Sequence, residues 1–316
     1  MHLDLKKRLN TLVRHEWSLM DDIDWNQGID LSKPLLGLSS DFVKECNLNQ
    51  AEALAVSQTL GIMAISAIAE HENVLDSFKE SYWLPLMKRS NASTDLIELG
   101  DQFFKEEKKH AEAFNQYIKM FAEKTNLSPT QLGEFLPKFS KDSIYTKLFR
   151  LNLMMGGQAL WWAVATTEAE SIDIYSSIKK SSKEVDPLYT QIHKLHFEEE
   201  LRHKCYAFLM LELDSSSNEI NFFRKILRRF DYMYSHLLEV TWAFNQLRRL
   251  KNVEAIAAKH PIYSNLVSAI KKFEKLPLLT KIKVLLFKTP FLSPLLRLNR
   301  HSCLLYTSDA ADDSLR

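Results

Sequence analysis

His196-Phe197-Glu198-Glu199-Glu200-Leu201-Arg202-His203 decides how this chain is read, together with a shorter partner, Glu107-Lys108-Lys109-His110. Both contain Glu-x-x-His, and the first carries an extra His one turn earlier. On an α-helix, residues at i, i+3 and i+4 share a face. The spacing therefore points Glu107 and His110 the same way, and likewise His196, Glu200 and His203. A pair of Glu-x-x-His helices, with one Glu from each of two further helices, is how a four-helix bundle builds a dinuclear carboxylate metal centre. The pattern implies an oxygen-activating metalloenzyme.

The rest of the composition suits that reading. The chain has 316 residues, 46% hydrophobic and 26% charged, as in an ordinary globular protein. A net charge of +1 gives no reason to expect nucleic-acid binding. Only 7 glycines occur, which favours an all-α fold over a turn-rich β fold. Cys46, Cys205 and Cys303 form no zinc or disulfide framework. Sparse cysteine and the absence of a secretory pattern in Met1–Arg14 lead to an expected cytoplasmic location. Leu151–Ala165 is apolar but interrupted by Asn152 and Gln158, so it reads as a buried helix rather than a membrane span.

Breakers and caps divide the chain into 1–48, a lead-in segment; 49–215, the helical core; 216–302, basic C-terminal helices; and 303–316. Within the lead-in, Leu3–Met20 reads as a helix and Asp21–Ser40, with Gly28, Pro34 and Gly37, as a loop over the bundle. The core reads as four long helices. They span about Asn49–Tyr82, a Ser93-capped helix to Lys124, about Ile144–Lys180, and Pro187 to about Leu213. Further helices are expected over Glu219–Lys259 and Pro261–Leu296. Leu276–Arg300 mixes Leu, Ile, Val and Phe with Lys and Arg. Such a stretch packs on its own domain with its charges in water, or docks on a membrane surface or a carrier protein. Cys303–Asp312 resembles the translation of a transposase-type sequencing adapter, so 303–316 is read as an artefact tail.

Two irons need hard carboxylate oxygens to bridge and neutralise them, and imidazole nitrogens to complete them. Glu107 is three residues before His110, whereas Glu106 reads as an exposed competitor. Glu198 and Glu199 are expected in solvent. The third helix supplies Glu168 or Glu170. Glu168 is preferred because it continues the apolar stripe Leu153, Gly157, Leu160, Trp161 and Val164, where an unpaired carboxylate is costly. The first helix supplies Glu72 or Glu70. Glu72 is preferred, continuing Leu54, Gly61, Ile65, Ile68 and Leu75. His71 reads as a surface or supporting residue, and Trp161 and Trp162 as core.

The order Glu helix, Glu-x-x-His, Glu helix, His-x-x-x-Glu-x-x-His resembles the para-aminobenzoate N-oxygenase family of ferritin-like di-iron oxygenases. His196 stands where that family has its distinguishing extra ligand, and Val185-Asp186-Pro187-Leu188 resembles the family's approach to the helix. The likeness covers about residues 50 to 210. It implies a ferritin-like four-helix bundle with additional N- and C-terminal helices, and the ligand set Glu72, Glu107, His110, Glu168, His196, Glu200 and His203. It also implies two Fe ions, with manganese compatible in one site, and oxygen transfer from O2 to a small molecule, of which N-oxygenation of an amine is one form. An external electron donor is expected, because no flavin or nicotinamide fingerprint is present; a homodimer is expected too. A di-iron hydroxylase or desaturase on a lipid or carrier-bound substrate, or a non-enzymatic iron-binding protein, would use the same metal pattern.

Overall fold

Asn49 starts the first long helix by accepting a hydrogen bond from the Glu52 backbone N–H while the Glu52 carboxylate caps the Asn49 N–H. Such a reciprocal cap contributes about 1 kcal/mol. The computed structural model describes residues 16–181, 183–215 and 222–287. Among these there are helices, turns and loops but no strands. In chain order the helices are α1 (Ser40–Glu45), α2 (Gln50–Phe78), α3 (Leu84–Arg89), α4 (Thr94–Lys124), α5 (Pro129–Gly133) and α6 (Ile144–Met154). They continue with α7 (Ala159–Lys180), α8 (Pro187–Ser215), α9 (Phe222–Leu247), α10 (Pro261–Glu274) and α11 (Leu278–Phe287).

α2 packs along α4, and α7 along α8; α4 and α8 join the two pairs, whereas α2 and α7 make almost no direct contact. α9 lies on α7, and α10 on α2. The expected four long helices are therefore present, with two departures. A π-helical turn, Lys79–Trp83, follows α2, because Pro85 brings no N–H and crowds the carbonyl four residues back. The expected continuous helix Ile144–Lys180 is broken between Met154 and Ala159. Gly156 turns there with φ +83°, and Gly157 has no room for a Cβ beside the Asn152 amide. The new helix start is capped from elsewhere in the chain. Asn152 Oδ1 accepts from Ala159 N at 3.0 Å, and Asp231 of α9 accepts from Gln158 N at 2.6 Å and from Asn152 Nδ2 at 2.7 Å.

Residues 16–39 run as a loop over α2 rather than continuing a helix to Met20; the expected helix before residue 16 lies outside the described residues, as does 303–316. Gly61 lets Leu35 sit where a Cβ would collide, and Ser57 Oγ accepts from the Leu35 and Leu36 N–H groups. Buried Asp186 ties this loop to the start of α8. It accepts from Asp30 N at 2.8 Å, Tyr189 N at 2.8 Å and the Tyr117 hydroxyl at 3.1 Å.

In the C-terminal region α9 stops at Leu247 and gives way to a 3-10 segment, Arg248–Ile256, instead of continuing to Lys259. Several of its basic residues are tied inward. Arg249 donates to the Leu136 and Gly133 carbonyls, and Lys272 pairs with Glu52 at 2.6 Å. Leu278 and Leu279 of α11 face solvent. Among the described residues, Gln50–Arg89 is the one helical stretch long and apolar enough to cross a membrane, and 83% of its apolar window is buried inside the protein.

The apolar interior falls into two parts. One gathers Leu35, Ile65, Phe114, Tyr117, Ile178 and Tyr189; the other gathers Phe78, Trp83, Phe104, Trp161, Tyr206 and Met210. Along each long helix the buried Glu and His residues fall between the residues that feed the two parts: Glu72 between Ile68 and Val74, Glu107 and His110 between Phe104 and Phe114, Glu168 between Ala165 and Ile174.

Candidate metal centre

All seven residues expected as ligands are buried, and all come together. Ligand atoms of Glu72, His110, His196 and Glu200 lie within 4.8 Å of one another; so do those of Glu107, His110 and His203, and those of Glu168, Glu200 and His203. His110, Glu200 and His203 each belong to two of the groups, so the three overlap into one cluster. The choice between neighbours is also resolved geometrically. Glu72 points inward, whereas Glu70 turns away to accept from Phe139 N at 3.0 Å. Glu168 points inward; Glu170 is buried too, not on the surface as one reading allowed, but it lines a separate cavity.

The His rings are aimed by contacts across the bundle. His110 presents Nδ1 to the cluster, 3.1 Å from Glu200 and 3.7 Å from Glu72, while its Nε2 meets Glu199 at 2.7 Å. His203 presents Nδ1 to Glu107 at 2.9 Å and Glu200 at 3.5 Å, while its Nε2 meets Glu106 at 2.8 Å. His196 Nε2 faces Glu200 at 2.8 Å and Glu72 at 3.3 Å. Aromatic edges hold the rings in place. Phe103 packs on His203 and Phe114 on His196, each with ring centroids 4.9 Å apart. Trp17 of the N-terminal loop stacks on His110 at 5.8 Å.

Two expectations fail here. Glu106 and Glu199 are buried, not solvated, and each clamps the His of the opposite helix; Glu198 is exposed. On an isolated helix the residue before a ligand points about 100° away and reads as surface. α4 and α8 face each other, so that direction leads into the neighbouring helix. Both helices carry Glu-Glu-x-x-His, at Glu106–His110 and Glu199–His203, and this doubled motif is the signal that marks the pair. Arg202 ties the two clamps together, 2.8 Å from Glu106 and 3.4 Å from Glu199, and Lys109 adds a 2.8 Å contact to Glu199.

The electrostatics separate the inner carboxylates from the outer ones. Burial, followed by the charges of Glu107 and Glu200, pushes Glu72 well above the usual carboxylate range, and burial with the Glu200 charge does the same to Glu168. Glu107 is also raised by burial. Burial opposes ionisation of Glu106, but the His203 contact and then Arg202 hold it at about 2. Glu200 is likewise pulled well down against burial by His196 and His203.

These donors could hold a metal ion. Buried atoms of the cluster have no hydrogen-bond partner, among them Glu72 Oε2, both oxygens of Glu200, and the inward Nδ1 of His110 and of His203. Orphaned buried donors and acceptors converging on one volume call for an ion. The four inner carboxylates match the charge of two divalent cations, while Glu106 and Glu199 are matched by Arg202 and Lys109. The cluster of buried Glu and His can hold metal. No family model matches the chain, and neither a curated protein nor a solved structure matches it. The functional reading therefore rests on this geometry.

Proposed function

We propose that the chain is a ferritin-like, non-haem di-iron oxygenase that uses O2 to transfer oxygen to a small molecule. The observation that carries this is the reciprocal arrangement of α4 and α8. Each offers inward Glu and His ligand atoms, and each supplies the buried carboxylate that fixes the other's His. A His held through its second nitrogen by a carboxylate has a defined tautomer and raised basicity, the usual support for a metal-bound imidazole.

In this reading Glu72, His110, His196 and Glu200 would hold one ion, and Glu107, Glu168 and His203, with Glu200 shared, would hold the other, drawing on the two remaining groups. Glu200, which belongs to two of the groups, would serve both ions. Bound iron supplies the redox chemistry toward dioxygen, and manganese in one position is compatible with the same oxygen and nitrogen donors. The protein's own part is positional. Glu106 and Glu199 each accept the Nε2 proton of a His, leaving Nδ1 free to ligate. Arg202 and Lys109 keep those carboxylates ionised. The flanking apolar clusters exclude bulk water, which strengthens every charge interaction between them. Electrons come from an external donor. The likeness in ligand order to para-aminobenzoate N-oxygenases belongs to this proposal and does not choose the atom oxidised.

Anaerobic loading with ferrous iron followed by oxygen-electrode measurement tests it. Oxygen uptake that requires iron loading and is abolished in Glu200→Ala supports the reading. A loaded protein inert to oxygen would sink the oxygenase assignment, and continued uptake of iron far beyond a dinuclear complement would move it to storage.

A further inference from the structure

α2 and α7 carry the two single-Glu ligands yet barely touch, and the gap between them is a cavity of about 70 Å³. A cavity of this size has room for roughly five waters. His71 and Thr167 line it, each next in the chain to a residue of the metal cluster, Glu72 and Glu168. The cavity and the cluster therefore lie at the same level of α2 and α7. The far wall is α9, which closes the gap with Leu238, Glu239 and Trp242.

The lining is mostly apolar and aromatic, from Phe139, Tyr145, Phe149 and Trp242, with two carboxyls set into it. Glu170 is 8% exposed. Glu239 is half-buried. Among the described residues its one hydrogen bond comes from Ser235 and its Oε2 has no partner, and burial pushes it up to about 8. Ser171 Oγ, also in the lining, is buried and unpartnered. No Lys or Arg answers either carboxyl among the described residues. Two acids set into one cavity lined by aromatic rings lack a cation.

We propose that this cavity is a ligand pocket for a small organic cation, whose ammonium sits between Glu170 and Glu239 against the faces of Phe139, Tyr145 and Trp242. Calling that ligand the substrate rests on the oxygenase reading; the binding itself does not. An ammonium held by two carboxylates carries no lone pair. It is therefore the anchor, and the atom oxidised would be another atom of the ligand.

Isothermal titration calorimetry on the full chain tests this with three probes of one shape: benzylammonium, benzyl alcohol and benzoate. Each is titrated into iron-loaded and chelator-treated protein whose metal content is measured alongside. The expected result is benzylammonium binding at least tenfold tighter than either competitor, and a loss of at least tenfold in Glu239→Gln. That variant leaves the metal ligands untouched and is checked for folding by circular dichroism. Benzoate binding as tightly as benzylammonium, heat from none of the three, magnesium displacing benzylammonium, or unchanged affinity in a folded Glu239→Gln would each overturn the proposal. If Glu239→Gln does not fold, the ranking of the probes on the native chain decides alone. Ammonium binding to a chain that takes up no iron would sink the oxygenase reading and keep the pocket; iron uptake without ammonium binding would do the reverse.

Discussion

Replacing Glu199 by Gln separates the two halves of the proposed centre. The side chain is fully buried, with Oε2 2.7 Å from His110 Nε2 and Oε1 2.8 Å from Lys109 and 3.4 Å from Arg202. Gln keeps the shape but removes one negative charge, so Arg202 is left with Glu106, and Lys109 with only the Trp17 carbonyl and ring. Losing the outer carboxylate of a ligating His costs about 10–100-fold in metal affinity, or about 1.4–2.7 kcal/mol. The uncompensated cation beside His110 acts in the same direction and places the effect in the upper half of that range. The loss should fall on the ion held by Glu72, His110, His196 and Glu200. Glu106→Gln, which frees His203, should weaken the other ion instead. Because Arg202 touches both carboxylates, the double variant should not be additive. Anaerobic competition against a chromogenic chelator reads both affinities, with cobalt as a stable surrogate and circular dichroism as the control for folding. Two unchanged affinities, or the same ion weakened by both variants, would refute the reciprocal clamp.

Three further outcomes follow from particular contacts. Chelation should lower the melting temperature: saturation of two sites at a hundred times their Kd is worth about 5 kcal/mol, or about 10 °C for a chain of this size, and a scan with and without chelator reads it. Gly100→Ala should destabilise by about 1–3 kcal/mol in urea unfolding, because a Cβ there would run into the Trp83 ring and the Tyr206 hydroxyl, which already share a 2.6 Å hydrogen bond. Cys46, 2% exposed and with its thiol raised by burial to about 11, should resist iodoacetamide at pH 8 until the protein unfolds, as peptide mapping would show.

The residues of the cluster were legible because helical spacing is a local property. Glu107 and His110, or His196, Glu200 and His203, share a face wherever the helix goes. What was not legible came from neighbours distant in sequence. Glu106 and Glu199 read as solvent-facing until α4 and α8 are set against each other. The helix break at Gly156 and Gly157 is capped by Asp231, more than seventy residues away, so the apolar periodicity ran straight through it. Glu170 looked like a surface residue, or a rival ligand to Glu168, because nothing in the sequence says that α9 covers it. The loop at 16–39 buries Trp17 and Leu35 on the core, whereas its glycines and proline suggested only a crossing over the surface.

The most direct test of the dinuclear centre is the metal content of the full chain after anaerobic iron loading and desalting, measured beside His196→Ala. About two irons per chain, falling to about one in the variant, is the predicted result, since His196 serves only one of the two positions. An unchanged content in His196→Ala, or no iron retained by the native chain, would contradict the account.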